Sequence, residues 1–181
     1  MTNTQCKKQM RYSPVIKTIV KDLNMIYVRP QRAGVIIYTV HDGTTYVCLG
    51  LDSKTHELTD FGGSVKYKAN ETSVDGALRE FDEETLSIFS AISSEDIKQY
   101  PVLYDDQNMI IFVGMRIDPQ SVSLAFNNKY KMVVDTGEIP EVCSMTWLTW
   151  KDFQDIIRNE SPLYSRVKNF LRRAGNFSYL L

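Results

Sequence analysis

Between Gly62 and Glu84 a glycine pair, a lone Glu71 and the run Arg79-Glu80-Phe81-Asp82-Glu83-Glu84 leave the backbone few choices. Val74, Ala77, Leu78 and Phe81, with Ile88 and Phe89 beyond, recur at three- and four-residue spacing. That spacing predicts a helix from about Thr72 to Phe89, with Thr72 or Ser73 as its N-cap. At about 100° per residue, with Glu80 at zero, Glu83 falls near about −60° and Glu84 near about +40°. The three carboxylates share an arc of roughly 100°. Val74, Ala77, Leu78, Phe81 and Thr85 lie between about 60° and about 160° on the same wheel. The acidic stripe therefore borders the buried stripe and does not oppose it. Paired glycines ahead of such a helix mark backbone that is tight or closely approached.

Like charges on adjacent turns repel and weaken a helix. A solvated face normally mixes Lys with Glu, yet Arg79 is the only basic residue among these acids. A divalent cation on that face would relieve the crowding, and hard carboxylate oxygens select Mg²⁺, Mn²⁺ or Ca²⁺. An acidic surface helix without a ligand has the same pattern, because Glu is a good helix former. Helix geometry alone leaves both readings open.

The remaining sequence narrows the classes. The net charge is −1, from 21 basic and 22 acidic residues, which argues against a uniformly basic nucleic-acid binder. The balance conceals a split. Residues 1–32 carry seven basic side chains against Asp22 alone, residues 33–150 eight against eighteen acids, and residues 151–181 six against three. With 43% apolar residues a packed core is expected. A length of 181 residues suits a single domain over 1–181, with residues 1–20 loosely held. No apolar run approaches the roughly 18 residues of a membrane span, and the first residues lack the apolar stretch of a secretory signal. Cys6, Cys48 and Cys143 are odd in number and far apart, which suits a reducing, cytoplasmic setting. His41 and His56 supply histidine-based sites poorly.

Gly34–Val40 and Thr45–Gly50, joined through Asp42-Gly43, predict a β-hairpin. Ser93-Ser94-Glu95-Asp96 looks like a second helix start. Residues 109–116 and 145–148 read as strands, and 152–158 and 163–173 as amphipathic helices. Strands flanked by helices indicate an α/β or α+β class.

Glu71, seven residues, Arg79-Glu80-Phe81, one residue and Glu83-Glu84 resemble, without a gap, the central part of the Nudix box, G-x5-E-x7-R-E-U-x-E-E-x-G-U with U apolar. Two departures stand out. Seven residues separate Gly63 from Glu71, and Leu86-Ser87 occupy the places of the final Gly and apolar residue. The resemblance implies an α/β/α sandwich with a mixed central β-sheet. It implies Mg²⁺- or Mn²⁺-dependent hydrolysis of a diphosphate linkage in a nucleoside diphosphate bonded to a second group. Position by position it makes Glu80, Glu83 and Glu84 the metal-binding and base carboxylates. The Gly62 carbonyl becomes a metal ligand, and Arg79 and Glu71 form a pair that holds the loop on the helix. Many members recruit a further acid from a later loop, a role open to Glu138 or Glu141. Lys66 and Lys68, in the loop before Glu71, either meet substrate phosphates or are merely solvated.

Leu58-Thr59-Asp60-Phe61-Gly62-Gly63 is similar to Nudix proteins of large DNA viruses, several of which resemble mRNA-decapping enzymes. On that footing capped RNA is a substrate in the host cytoplasm. Lys7, Lys8, Arg11, Lys17 and Lys21, with Arg166, Lys168, Arg172 and Arg173, would then form a polyanion path, or else are scattered surface charges. Dinucleoside polyphosphates, nucleotide sugars, nucleoside triphosphates and diphosphoinositol polyphosphates are the competing substrates. A binding module without turnover is the other class. Tyr38, Tyr46, Tyr104, Phe112, Trp147 and Trp150 are either base-stacking or core residues.

Overall fold

The computed structural model describes residues 13–25 and 29–177. A short strand, β1 (Ile16–Ile19), leads through a 3-10 turn (Val20–Met25) to the hairpin of β2 (Arg32–His41) and β3 (Thr44–Asp52). Asp42 at φ 49° and Gly43 at φ 74° give the hairpin turn the left-handed backbone that matches strand twist. β4 (Leu58–Thr59), β5 (Phe61–Ser64), α1 (Ser73–Glu84), β6 (Pro101–Tyr104) and β7 (Asn108–Gly114) follow. The chain continues with α2 (Pro119–Val134), β8 (Val142–Thr149), α3 (Trp150–Arg158) and α4 (Ser165–Ala174).

The strand order is β1-β6-β7-β2-β3-β4, with β5 paired to β2 and β8 to β3. β2 and β7 run parallel and the other pairs antiparallel, so the sheet is mixed. Alternate residues feed two separate cores. Ala33, Val35 and Ile37 of β2 and Met109, Ile111 and Val113 of β7 meet Ala77 and Phe81 of α1 and Phe126 of α2. Ile36, Val47, Leu49, Ile110 and Phe112 meet Phe153, Phe170 and Leu171 of α3 and α4. This is an α/β/α sandwich. None of the described helices is long and apolar enough to cross a membrane.

One irregularity of the sheet positions the site. β3 accompanies β2 only over Ile37–His41, while Arg32–Val35 pair with β5. Gly62 thereby comes opposite Gly34 beneath α1. A Cβ on Gly62 would lie 2.5 Å from the Gly34 Cα and 2.7 Å from the Ala33 carbonyl oxygen. Gly62 is thus required by close approach of two backbones.

Three expectations change, and one helix was not foreseen. α1 stops at Glu84, not Phe89, because Leu86 (φ 56°) and Ser87 (φ 54°) turn left-handed. Leu86 N donates to Glu83 O at 3.2 Å and Ser87 N to Asp82 O at 2.9 Å, the paired bonds of a Schellman cap with Leu in the usual glycine place. Second, Ser93–Asp96 do cap each other, with Ser93 N and Oγ donating to Asp96 Oδ2, but the segment forms turns only. Pro101 stops any helix there and starts β6. Third, α2 was not foreseen: Val122, Phe126 and Tyr130 pack on the core at four-residue spacing, but Leu124 and Met132 stay 62% and 64% exposed and blur the pattern. Its local signal is Asp118-Pro119, an N-cap accepting from Gln120 N and Ser121 N with Pro at the helix start. Fourth, within the loosely held stretch expected over 1–20, residues 16–19 pair with β6. Lys7, Lys8 and Arg11 lie outside the described residues.

Candidate active site

Thr72 Oγ1 accepts from Asp75 N at 3.1 Å and starts α1 just after the long loop. From there the helix delivers Arg79, Glu80, Glu83 and Glu84 to the β5 edge. Arg79 is the hub. Its Nε donates to Glu71 Oε1 at 2.7 Å, its Nη1 to Glu80 Oε1 at 2.7 Å and to Glu83 Oε2 at 3.1 Å, and its Nη2 to Ser64 O at 3.1 Å. Glu71 Oε2 also accepts from Lys66 N at 2.7 Å, closing the loop on the helix. The seven-residue loop therefore keeps the Glu71–Arg79 pair by adding a 3-10 turn at Tyr67–Ala69. The hydrogen bond from Arg79 holds the Glu71 carboxyl below its ordinary range, and Glu71, then Glu80, hold the guanidinium above its own.

Glu84 sits deeper. Its Oε2 accepts from Gly62 N at 2.8 Å. Burial first, then the charges of Asp60 and Glu80, push its carboxyl up to about 9, against the lowering effect of Arg32 and the Gly62 bond. Gly63 makes room for Glu80, because a Cβ there would run into the Glu80 carboxyl.

Glu80, Glu83 and Glu84 line one cleft of about 410 Å³ together with Lys66, Arg79, Glu138 and Glu141. Glu84 and Glu141 also line an adjoining space of about 300 Å³ with Arg32, Gly62 and Tyr164. Two roomier clefts, about 740 Å³ beside the start of α1 and about 670 Å³ at the far end of β2, hold none of Glu80, Glu83 and Glu84. The chemistry follows the acids and not the volume. Lys68 is exposed and stands apart from the acid-lined cleft, whereas Lys66 lines it.

Three residues at the site escaped the sequence reading: Arg32, Asp60 and Tyr164. Arg32 Nη1 donates to Asp60 Oδ2 at 2.7 Å and Nη2 to Gly62 O at 2.8 Å. Burial opposes the charge on Arg32, but Asp60 outweighs it and keeps the guanidinium above its ordinary range. The Gly62 carbonyl, expected as a metal ligand, is thus on Arg32; a carbonyl oxygen has two lone pairs, and this bond uses one. The single hint in the sequence was an acid directly before Phe61-Gly62-Gly63.

Other expectations meet structural roles. Arg166 donates to Asn108 Oδ1 and Gln107 O, Lys168 to Ser161 O, Arg172 to Ile157 O and Arg158 O, and Arg173 to Asp105 Oδ2. These four cations tie α4 to the start of β7, the end of α3 and nearby loops, and do not stand as an open basic track. Tyr104 and Phe112 are core residues, and Trp150 packs against Phe153 and Phe177.

Among the described residues no three His, Cys, Asp or Glu side chains stand close enough to hold one metal ion together. Arg79 Nη1 donates to both Glu80 and Glu83. The donor set is nonetheless all oxygen, with three acids on one helix face and two more across the cleft, which fits Mg²⁺ or Mn²⁺.

No family model matches the chain, and no curated protein matches it. Solved structures similar to it include the Nudix domain of Shewanella oneidensis NrtR complexed with ADP ribose, at 15% identity over 83% of this chain and 89% of that one, TM-score 0.46. The C. elegans Ap4A hydrolase is similar at 17% identity over 81% and 96%, TM-score 0.44. A MutT/nudix family protein from Listeria innocua is similar at 17% identity over 80% and 92%, TM-score 0.42. These are likenesses of fold, and they say nothing of this chain's chemistry.

Proposed function

We propose that this protein is a Mg²⁺- or Mn²⁺-dependent Nudix-type hydrolase that cleaves a phosphoric anhydride bond in a nucleoside diphosphate linked to a second group. The observation that carries the reading is the convergence of Glu80, Glu83 and Glu84 with Glu138, Glu141 and Lys66 on one cleft, beside a glycine strand that Arg79 and Glu71 hold in place. Glu80, Glu83 and Glu84 would hold the cation, which when bound neutralises diphosphate charge and acidifies an attacking water. The chain's own groups do the rest. Lys66 offers a positive charge to the phosphates. A carboxylate among Glu80, Glu83, Glu84, Glu138 and Glu141 accepts the water proton. Arg79 keeps the loop from swinging away from the helix.

Capped RNA is the substrate that the Leu58–Gly63 resemblance favours within this class, and the free thiols of Cys48 and Cys143 suit a reducing, cytoplasmic setting. The deciding experiment is a substrate panel with product analysis, run with each metal. It includes capped RNA, dinucleoside polyphosphates, nucleotide sugars and inositol pyrophosphates. A folded protein that cleaves none of them, yet binds one tightly, would be a Nudix-fold binding module. For the RNA reading, charge reversal at Lys7, Lys8 and Arg11 should weaken cleavage of long capped RNA and spare the cap dinucleotide. Equal effects on both would remove the polyanion path.

A further inference from the structure

Arg32 and Asp60 form a buried ion pair that no part of the Nudix resemblance names, with side chains 9% and 0% exposed. Burying two charges is costly, and an apolar pair of similar volume commonly folds as well or better. The surrounding sequence nevertheless makes space for the charges. A Cβ on Gly34 would run into Asp60 Oδ2. Both Asp60 oxygens are engaged, Oδ2 by Arg32 at 2.7 Å and Oδ1 by Thr59 Oγ1 at 3.2 Å. Arg32 then sends its other terminal nitrogen to Gly62 O at 2.8 Å. Gly62 N meets Glu84 Oε2 at 2.8 Å, so side chains hold both backbone polar atoms of this glycine. An apolar pair could fill the space, but it could not fix a carbonyl's direction.

We propose that Arg32, oriented by Asp60, is a positioning residue of the hydrolytic site that sets the Gly62 backbone and through it Glu84. This rests on the hydrolase reading above for its catalytic consequence, but not for its structural one. The guanidinium fork bridges a carboxylate and a carbonyl at once, which a single ammonium cannot reproduce. Asp60 locks the fork, so its neutral isostere should loosen the same glycine.

The test uses Arg32→Lys and Asp60→Asn in the full chain. Amide hydrogen exchange over residues 61–64 should quicken by about tenfold or more while β6 and β7 keep their protection. Mn²⁺ affinity, read by electron paramagnetic resonance, should weaken several-fold. kcat should fall by about tenfold or more with KM within about twofold. A merely structural pair would lower the melting temperature, quicken exchange throughout the sheet and leave kcat of the folded enzyme unchanged, and that result overturns the proposal. If Arg32→Lys does not fold, Asp60→Asn, which keeps the side-chain volume, gives the same three readouts. Unchanged exchange over 61–64 in a folded variant also overturns it. If the wild type cleaves nothing, the hydrolase reading fails, while local exchange and Mn²⁺ binding still decide the role of Arg32.

Discussion

Glu84 accepts a hydrogen bond from the Gly62 amide, yet burial and the nearby Asp60 and Glu80 charges push its carboxyl up to about 9. An unfolded Glu titrates near about 4.3, so between that pH and about 9 the folded, metal-free protein holds a proton the unfolded chain has lost. This contribution is fully present below the unfolded value and is lost as pH rises through the folded one. Metal-free wild type should therefore melt lower at pH 8 than at pH 5, and Glu84→Gln should flatten that slope. The same substitution should lower kcat by about 10²–10⁴. Thermal melts in EDTA and a kinetic assay check the two halves separately; an unchanged slope would place Glu84 in a more polar setting than its neighbours indicate. The two glycines differ in a testable way. Alanine at Gly63 meets only the movable Glu80 carboxyl, so the protein should fold and lose about 10²-fold in kcat. Alanine at Gly62 meets the Gly34 and Ala33 backbone and should fail to fold, as circular dichroism would show.

α1 ties local signals to the site. Thr72 caps it, and Thr72→Ala should cost about 1 kcal/mol, or about 2–4 °C by calorimetry. Its far end carries a left-handed Leu86, a conformation that costs an L-residue roughly 1–2 kcal/mol. Leu86 packs against the core beside Phe81 and lines the acidic cleft, which offsets that strain. The missing motif glycine therefore changed the residue and not the turn. α2 and the Ser93–Asp96 turns show the converse. A cap ahead of a blurred apolar pattern starts the sixteen-residue α2, and the Ser93–Asp96 cap before Pro101 starts no helix. Periodicity finds helices whose apolar residues keep to one face; in α2 Val122, Phe126 and Tyr130 pack on the core while Leu124, Met132 and Val134 are exposed.

For the whole molecule, the charge split takes on a spatial meaning. Five of the eighteen acids of residues 33–150 gather on one cleft, and the basic C-terminal helix spends its cations on internal carbonyls, Asn108 and Asp105. A divalent ion bound at that cleft should stabilise the fold by mass action, by about 2.7 kcal/mol at a hundredfold excess over Kd. Mg²⁺ or Mn²⁺ should thus raise the melting temperature by about 5–10 °C in wild type and far less in Glu84→Gln, with EDTA reversing the shift. A rise of equal size in Glu84→Gln would move the ion elsewhere.

Glu71, ahead of the helix, was legible only through the motif, whereas Arg79, Glu80, Glu83 and Glu84 were legible in order and spacing, because a helix converts spacing into a face by local geometry alone. The hairpin at Asp42-Gly43 was legible for the same reason: its turn needs only two residues of backbone. Arg32, Asp60 and Tyr164 were not, since 28 positions separate the first two and Tyr164 comes from the far layer. Their meeting depends on β2 leaving β3 to pair with β5, a register choice made by packing across the sheet. Glu80, Glu83 and Glu84 are thus written within one short helix, whereas the buried arginine that holds the neighbouring glycine is placed by non-local strand pairing.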